Sequence, residues 1–177
     1  MTPLTLEAIR EALPDRSKDF KLNLQTVLSE DSLSPAQLLG VALACAAAVK
    51  SVPLRAALLA ETLAQAGEAV AEDALAVAAL MAMSNVFYRF RHLVGNPEYG
   101  QLPARLRMNR LAKPASSKVD CELFALAVSA VNACEACVQA HERTLREADI
   151  TQAQINDAVR IAATIAGCAV ALGDLDS

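Results

Sequence analysis

The chain has 177 residues, of which 54% are hydrophobic and only 3% aromatic, and its formal net charge is −4 at pH 7. This length is enough for one domain with a buried core, and the acidic balance argues against nucleic-acid binding, because neutralising phosphates requires a basic surface. The longest apolar stretch, residues 38–49, is shorter than the roughly 20 residues that span a bilayer, and the early charges do not fit a signal peptide. We therefore expect a soluble, cytoplasmic protein that binds neither nucleic acid nor membrane.

Small aliphatic side chains dominate the composition, which favours helices over sheets. The clearest helix start is Ser34-Pro35, with serine as the N-cap and proline in the first turn. The clearest loop is residues 95–100, where glycine, asparagine and proline cluster. Asn132 is expected to end one helix and to cap the next. The predicted helices cover, in chain order, residues 5–13, 19–28, 37–50, 54–65, 72–91, 104–112, 118–131, 134–147 and 151–171.

Two parts of the chain, residues 35–90 and 120–170, share one layout: an apolar helix, a break, a more polar helix and a long alanine-rich helix. When residues 37–43 are aligned with 122–128, only the second part has reactive side chains. Two copies are too few for a solenoid. We predict an all-α, compact multi-helix bundle with an internal duplication, folded as a single domain over residues 1–177; similar composition is the alternative explanation of the match.

A C-x-x-C pair, Cys134 and Cys137, is followed four residues later by His141, one of only two histidines. In the first turn of a helix the two side chains are neighbours that can close a disulfide, and backbone amides there stabilise a thiolate. His141 lies one turn further along the same face, where it can take the thiol proton. Glu122, an acid among apolar residues, is the best candidate to hold the imidazole if the two helices pack antiparallel.

Other interpretations of the pair stay open. The spacing can arise by chance, without a role. A zinc site would use Cys134, Cys137 and His141, with Glu122 or another cysteine as the fourth ligand. Structural zinc sites usually have a second pair, which this sequence lacks. The favoured interpretation is redox chemistry, with no metal and no bound cofactor.

The remaining cysteines are separate from the pair. Cys45 and Cys168 lie in apolar helical runs, so we expect them to be buried. Cys121 is adjacent to Glu122 and is a candidate third redox thiol.

The pattern E-x11-C-x-x-C-x-x-x-H-E, over residues 122–142, resembles the active-site motif of the alkyl hydroperoxide reductase D family, in the carboxymuconolactone decarboxylase-like superfamily. Residues 83–89, 106–109 and 111–114 also agree with this family, and the resemblance covers essentially the whole chain. It implies an all-helical fold with an internal duplication that assembles into trimers or larger homo-oligomers.

The resemblance also implies a function. It indicates a thiol peroxidase that reduces a partner peroxiredoxin, alkyl hydroperoxide reductase C. Electrons would come from dihydrolipoamide on a lipoyl-carrying acyltransferase, recharged by dihydrolipoamide dehydrogenase. By position, Cys137 is implied as the thiol oxidised to sulfenic acid, Cys134 as the resolving thiol and proton donor, and the two together as the product disulfide. His141 and Glu122 are implied as the proton relay.

The sequence departs from this family at Ala136, since family members have a histidine just before the second cysteine. We expect the core chemistry to survive with a changed pH profile. Two alternatives to a peroxidase remain, a general protein disulfide reductase with the same thiols and a zinc-stabilised interaction module. A decarboxylase or related lyase, as in other branches of the superfamily, is disfavoured because those members lack the cysteine pair.

Overall fold

Ten α-helices form the fold in the computed structural model, which describes residues 5–29 and 31–173. No strand occurs in these residues, so the predicted all-α class is confirmed. Of the predicted domain, residues 1–4, 30 and 174–177 lie outside the described part. The helices are, in chain order, α1 (Leu6–Ala12), α2 (Lys18–Val27), α3 (Pro35–Ala48), α4 (Val52–Gln65), α5 (Glu68–Leu93), α6 (Glu98–Gln101), α7 (Asn109–Ala112), α8 (Lys118–Val131), α9 (Glu135–Glu147) and α10 (Gln152–Gly173).

Two apolar helices, α3 and α8, lie at the centre of the bundle, in contact with each other and with α5 and α10. A capping box between Ser34 and Gln37 starts α3. Gly40 on α3 faces the ring of Phe124 on α8 so closely that a Cβ atom would lie 2.1 Å from it. The missing side chain therefore allows the close approach of the two central helices.

The order of the helices follows the layout that the sequence suggested. Each central helix is followed by a second helix, α4 or α9, and then by a long one, α5 or α10. The two helices predicted to be equivalent, α3 and α8, pack against each other. The assignment of two repeats within a single domain stays a prediction.

The largest error in the predicted helices concerns residues 104–112. Only α7 forms there, because Arg105 has a left-handed backbone conformation (φ 51°) that a right-handed helix cannot contain. The predicted loop 95–100 in turn contains the start of the short helix α6. Most other helix limits agree within a few residues, although α5 begins earlier than predicted.

By length and composition alone, α5 and α10 are apolar enough to cross a membrane. Half of each apolar window is buried inside the bundle, and core helices of soluble proteins pass the same test. The apolar face of α10 packs against α2, α3 and α8, while α5 buries the polar Asp73 and Asn85. Packing within the bundle therefore accounts for the buried half of each apolar window.

Residues 94–117, between α5 and α8, form a connector that contains α6 and α7. Most of its side chains are exposed. It contacts the bundle through α7, which touches both α5 and α8. Met108 and Leu111 of the connector line a cavity together with Ala136 and Cys137, so this part of the connector lies near the start of α9.

Candidate active site

The turn from α8 into α9 places the cysteine pair. Asn132 ends α8, and Ala133 takes a left-handed backbone conformation (φ 52°). The amide of Cys134 then donates to the carbonyl of Ser129 over 3.0 Å. Cys134 is the N-cap of α9, so the prediction that Asn132 caps this helix is wrong; the backbone of Asn132 still belongs to the last turn of α8.

Cys134 and Cys137 are joined by a disulfide, with 5.3 Å between their Cα atoms. Cys134 is fully buried, whereas 7% of Cys137 is exposed. Cys137 lies in the first turn of α9, where backbone amides have no partner within the helix and stabilise negative charge. When the disulfide is reduced, Cys137 is therefore the more accessible thiol, in a position that favours a thiolate.

Packing of α8 against α9 brings Glu122 and His141 together. Oε2 of Glu122 lies 2.7 Å from Nδ1 of His141, and 13% of each side chain is exposed. Because a carboxylate only accepts, Nδ1 is the donor, and Nε2 of the neutral ring is left without a proton. Glu122 thus holds the imidazole in the tautomer whose Nε2 can accept a proton.

A cavity of about 430 Å³ opens beside the disulfide. Cys137 and His141 lie on its wall, one helical turn apart on α9. The other lining side chains are mostly apolar and come from α5, α9 and the connector: Met81, Ser84, Tyr88, Met108, Leu111, Ala136 and Ala140. A molecule in this cavity would meet the accessible sulfur and the histidine in apolar surroundings.

Ala136 occupies the position where the resembled family has a histidine. Its methyl group lies on the cavity wall, beside Cys137, and can neither donate nor accept a proton. Among the described residues, His141 is accordingly the only basic side chain that lines this cavity.

A polar network from α5, which the sequence did not reveal, supports the turn that holds the pair. The Asn85 side chain donates to Oγ of Ser129 over 3.0 Å and accepts from the Asn132 side chain over 2.9 Å. Arg89 donates to the backbone carbonyl of Asn132 over 2.6 Å. Buried polar groups are costly unless they are paired. Polar residues within an otherwise apolar helix were therefore the sequence feature that could have indicated this network.

A second polar cluster ties the connector to α5. Asp73, with 1% of its side chain exposed, accepts from Arg110 and from the amides of Ala115 and Ser116, and also from the Ser116 hydroxyl, over 2.7–3.1 Å. Burial raises the pKa of Asp73, but these hydrogen bonds outweigh burial and hold the pKa below its usual value. The group is therefore a carboxylate at neutral pH. The sequence feature that could have indicated this cluster was an acidic residue on the apolar face of α5.

The other cysteines in the described residues, Cys45, Cys121 and Cys168, are free and buried. Burial raises the pKa of Cys45 to about 12 and that of Cys168 to about 11. Burial, and then the neighbouring Asp73 carboxylate, raise the pKa of Cys121 to about 12. Because the thiolate is the nucleophile, Cys121 is poorly suited to be a third redox thiol.

Two further features bear on the alternatives. Within residues 5–29 and 31–173, no group of three or more His, Cys, Asp or Glu side chains is arranged to hold a metal ion. His92, at the end of α5, lies 3.4 Å from the Glu135 carboxylate in an exposed position. Glu135 is not among the residues that line the cavity shared by Cys137 and His141.

Comparison with known proteins gives two findings. The model of the carboxymuconolactone decarboxylase family matches residues 97–173. Alkyl hydroperoxide reductase AhpD of Anaeromyxobacter dehalogenans (strain 2CP-C) is 60% identical over 167 residues, which cover 94% of this chain and 90% of that protein. Proteins of the same name from Bradyrhizobium sp. (strain BTAi1) and Brucella suis are 48% and 42% identical, over 96% and 98% of this chain and 93% and 99% of their own lengths.

Proposed function

We propose that this chain, which belongs to the alkyl hydroperoxide reductase AhpD family, reduces peroxides with the Cys134–Cys137 dithiol and is itself reduced by dihydrolipoyl groups. One observation supports this most directly. Cys137 and His141 lie on the wall of one apolar cavity, and the imidazole is held by Glu122. A thiol, a base and a space for an organic molecule therefore meet at one place.

In the first step, Nε2 of His141 takes the proton of the Cys137 thiol. The thiolate attacks the terminal oxygen of the peroxide, the O–O bond breaks, and Cys137 becomes a sulfenic acid. The departing alkoxide takes a proton from Cys134 and leaves as an alcohol. Glu122 stabilises the imidazolium, as the carboxylate partner does in other acid–base triads.

In the second step, the Cys134 thiolate attacks the sulfur of the Cys137 sulfenic acid. Hydroxide leaves with the proton held on His141, so one peroxide and two thiols give an alcohol, a water and a disulfide. Cys134 is suited to this role because it is fully buried and its Cα atom is 5.3 Å from that of Cys137. Its burial limits its reaction with external peroxide, while its neighbour lies within reach.

A dihydrolipoyl group would regenerate the dithiol by thiol–disulfide exchange at Cys137, the more accessible of the two sulfurs. The apolar cavity suits the hydrocarbon part of such a donor. The proposed donor is a lipoyl-carrying acyltransferase, which dihydrolipoamide dehydrogenase recharges. The proposed electron acceptor besides peroxide is alkyl hydroperoxide reductase C. These partners, which the family resemblance implies, and a cytoplasmic location are part of the proposal.

A coupled assay tests the proposal. NADH, dihydrolipoamide dehydrogenase, lipoamide and an organic hydroperoxide are mixed with the purified protein, with and without the peroxiredoxin. NADH oxidation should depend on both the protein and the peroxide, and should rise when the peroxiredoxin is added. Oxidation that occurs with a protein disulfide but not with peroxide would instead identify a general disulfide reductase.

One exposed apolar face supports the proposed homo-oligomer. Val86, Phe90 and Leu93 are 47–74% exposed, and their spacing places them on one side of α5. Exposed patches of this kind mark interaction sites, so we propose that copies of the chain assemble through this face into the trimers or larger homo-oligomers that the resemblance implies.

Phe90→Glu is expected to lower the molar mass measured by light scattering to that of a monomer, because a charge would be buried without a partner. Val170→Glu is the control, since Val170 is 73% exposed on α10, outside this face. An unchanged mass for Phe90→Glu would exclude this face as the interface.

A further inference from the structure

We propose that Asp73 is a positioning residue for the substrate cavity. It fixes the part of the connector that forms the outer cavity wall, and so sets a preference for bulky apolar hydroperoxides over hydrogen peroxide. This inference rests on the proposed peroxidase function and assigns a role to a residue that contacts no substrate.

The cavity wall has two parts of different origin. Cys137, Ala140 and His141 come from α9, and Met81 and Tyr88 come from α5, so long packed helices hold them. Met108 and Leu111 come from the connector alone. The position of this second part depends on whatever holds the connector in place.

The connector packs on the core through Leu111, but few hydrogen bonds join it to the rest of the bundle. Met108 and Leu111 are only partly buried, and α7, which contains Leu111, is a helix of 4 residues, too short to be stable alone. Elsewhere, Arg91 donates to the carbonyl of Leu102 on the exposed surface. Secondary structure therefore does not fix this part of the wall.

Asp73 accepts most of the hydrogen bonds that join the connector to the bundle. Its Oδ1 accepts from Arg110, which lies between the two wall residues in the sequence, over 2.8–2.9 Å. Its Oδ2 accepts from the amide and the hydroxyl of Ser116, each over 2.7 Å. The carboxylate thus holds the connector at both ends of the stretch that includes Leu111, and such charge-assisted hydrogen bonds are strong when buried.

The consequence differs between substrates. Hydrogen peroxide needs only Cys137, His141 and Cys134, which lie on α9 or at its N-cap. A bulky hydroperoxide also contacts the apolar wall, and contacts with an apolar pocket change kcat/KM by roughly tenfold or more per group. Displacing Met108 and Leu111 should therefore weaken the binding of the bulky substrate and leave the reaction of the small one unchanged.

The test compares cumene hydroperoxide with hydrogen peroxide in Asp73→Asn and Arg110→Met, both with the full chain. The ratio of kcat/KM values, cumene hydroperoxide over hydrogen peroxide, is expected to fall about tenfold in Asp73→Asn, through KM rather than kcat. Arg110→Met should shift the ratio in the same direction by less. Should Asp73→Asn fail to fold, Arg110→Met still tests the proposal. Arg110 is 41% exposed, and in this variant Asp73 keeps its hydrogen bonds to Ser116.

Asp157→Asn is the matched control. Asp157 also accepts from a serine and an arginine, Ser32 over 2.6 Å and Arg160 over 2.9 Å, but it lies on α10, which contributes nothing to the cavity lining. Its substitution should cost stability without changing the substrate ratio. An unchanged ratio in the folded Asp73 and Arg110 variants, or an equal fall in Asp157→Asn, would overturn the proposal.

A second readout separates this inference from the peroxidase function. The reduced protein is alkylated with N-benzylmaleimide or N-ethylmaleimide, and the rate at Cys137 is followed by peptide mass spectrometry. The benzyl-to-ethyl rate ratio should fall in Asp73→Asn and Arg110→Met but not in Asp157→Asn, even if the protein turned over no peroxide. A constant ratio in all variants would show that Asp73 does not shape the cavity.

Discussion

Cys137→Ser is expected to reduce peroxide turnover with dihydrolipoamide to the background rate. Cys137 is the more accessible member of the pair and shares the cavity with His141. A serine hydroxyl is not ionised at neutral pH and cannot form a sulfenic acid, so both the peroxide step and the disulfide step are lost. NADH oxidation in the coupled assay measures the effect.

Two further variants are compared with Cys137→Ser. Cys168→Ala removes a free, buried thiol and should keep nearly all activity. Cys134→Ser should still be oxidised at Cys137 but should turn over much more slowly, because only an external thiol can then reduce the sulfenic acid. Full activity of Cys137→Ser would exclude Cys137 as the nucleophile.

His141→Gln is expected to lower kcat/KM for peroxide by about 10²–10⁴-fold, which is the usual contribution of a general base. Glu122→Gln should lower it less, by about ten- to a hundredfold. It removes one charge-assisted hydrogen bond, worth about 1.5–3 kcal/mol, and each 1.4 kcal/mol or so is a factor of about ten in rate. The single turnover of the reduced enzyme with peroxide, followed by stopped flow, measures both effects.

Glu142→Gln is the matched control for the relay. Glu142 adjoins His141 on α9, but it is Glu122 that contacts the imidazole. The control should therefore react at close to the wild-type rate. If Glu142→Gln lowered kcat/KM for peroxide as much as Glu122→Gln, the cause would be the change in net charge near the cavity and not the loss of the relay.

The helices could be predicted from the sequence because their signals are local. The predicted start at Ser34-Pro35 is the observed capping box of α3, and the predicted limits 118–131 are those of α8. The prediction over residues 104–112 failed because local propensity does not show a left-handed residue such as Arg105. The connector is held by distant contacts with Asp73 instead.

The candidate site could be predicted in part for the same reason. The spacing of Cys134, Cys137 and His141 along one helix is a local property. The distance between Glu122 and His141 depends on how α8 packs against α9. From the sequence, this contact could be predicted only on the condition that the two helices pack antiparallel. The roles of Asn85 and Asp73 depend wholly on tertiary contacts between α5 and later parts of the chain.

Trapping the sulfenic acid at Cys137 tests the central claim most directly. The reduced Cys134→Ser variant is treated with one equivalent of an organic hydroperoxide and then with dimedone, and each cysteine is examined by peptide mass spectrometry. A peroxidase of the proposed mechanism gives a dimedone adduct at Cys137 and none at Cys45, Cys121 or Cys168. Unmodified Cys137, in a protein whose wild-type disulfide is still reduced by dihydrolipoamide, would contradict the peroxidase mechanism and leave a disulfide reductase.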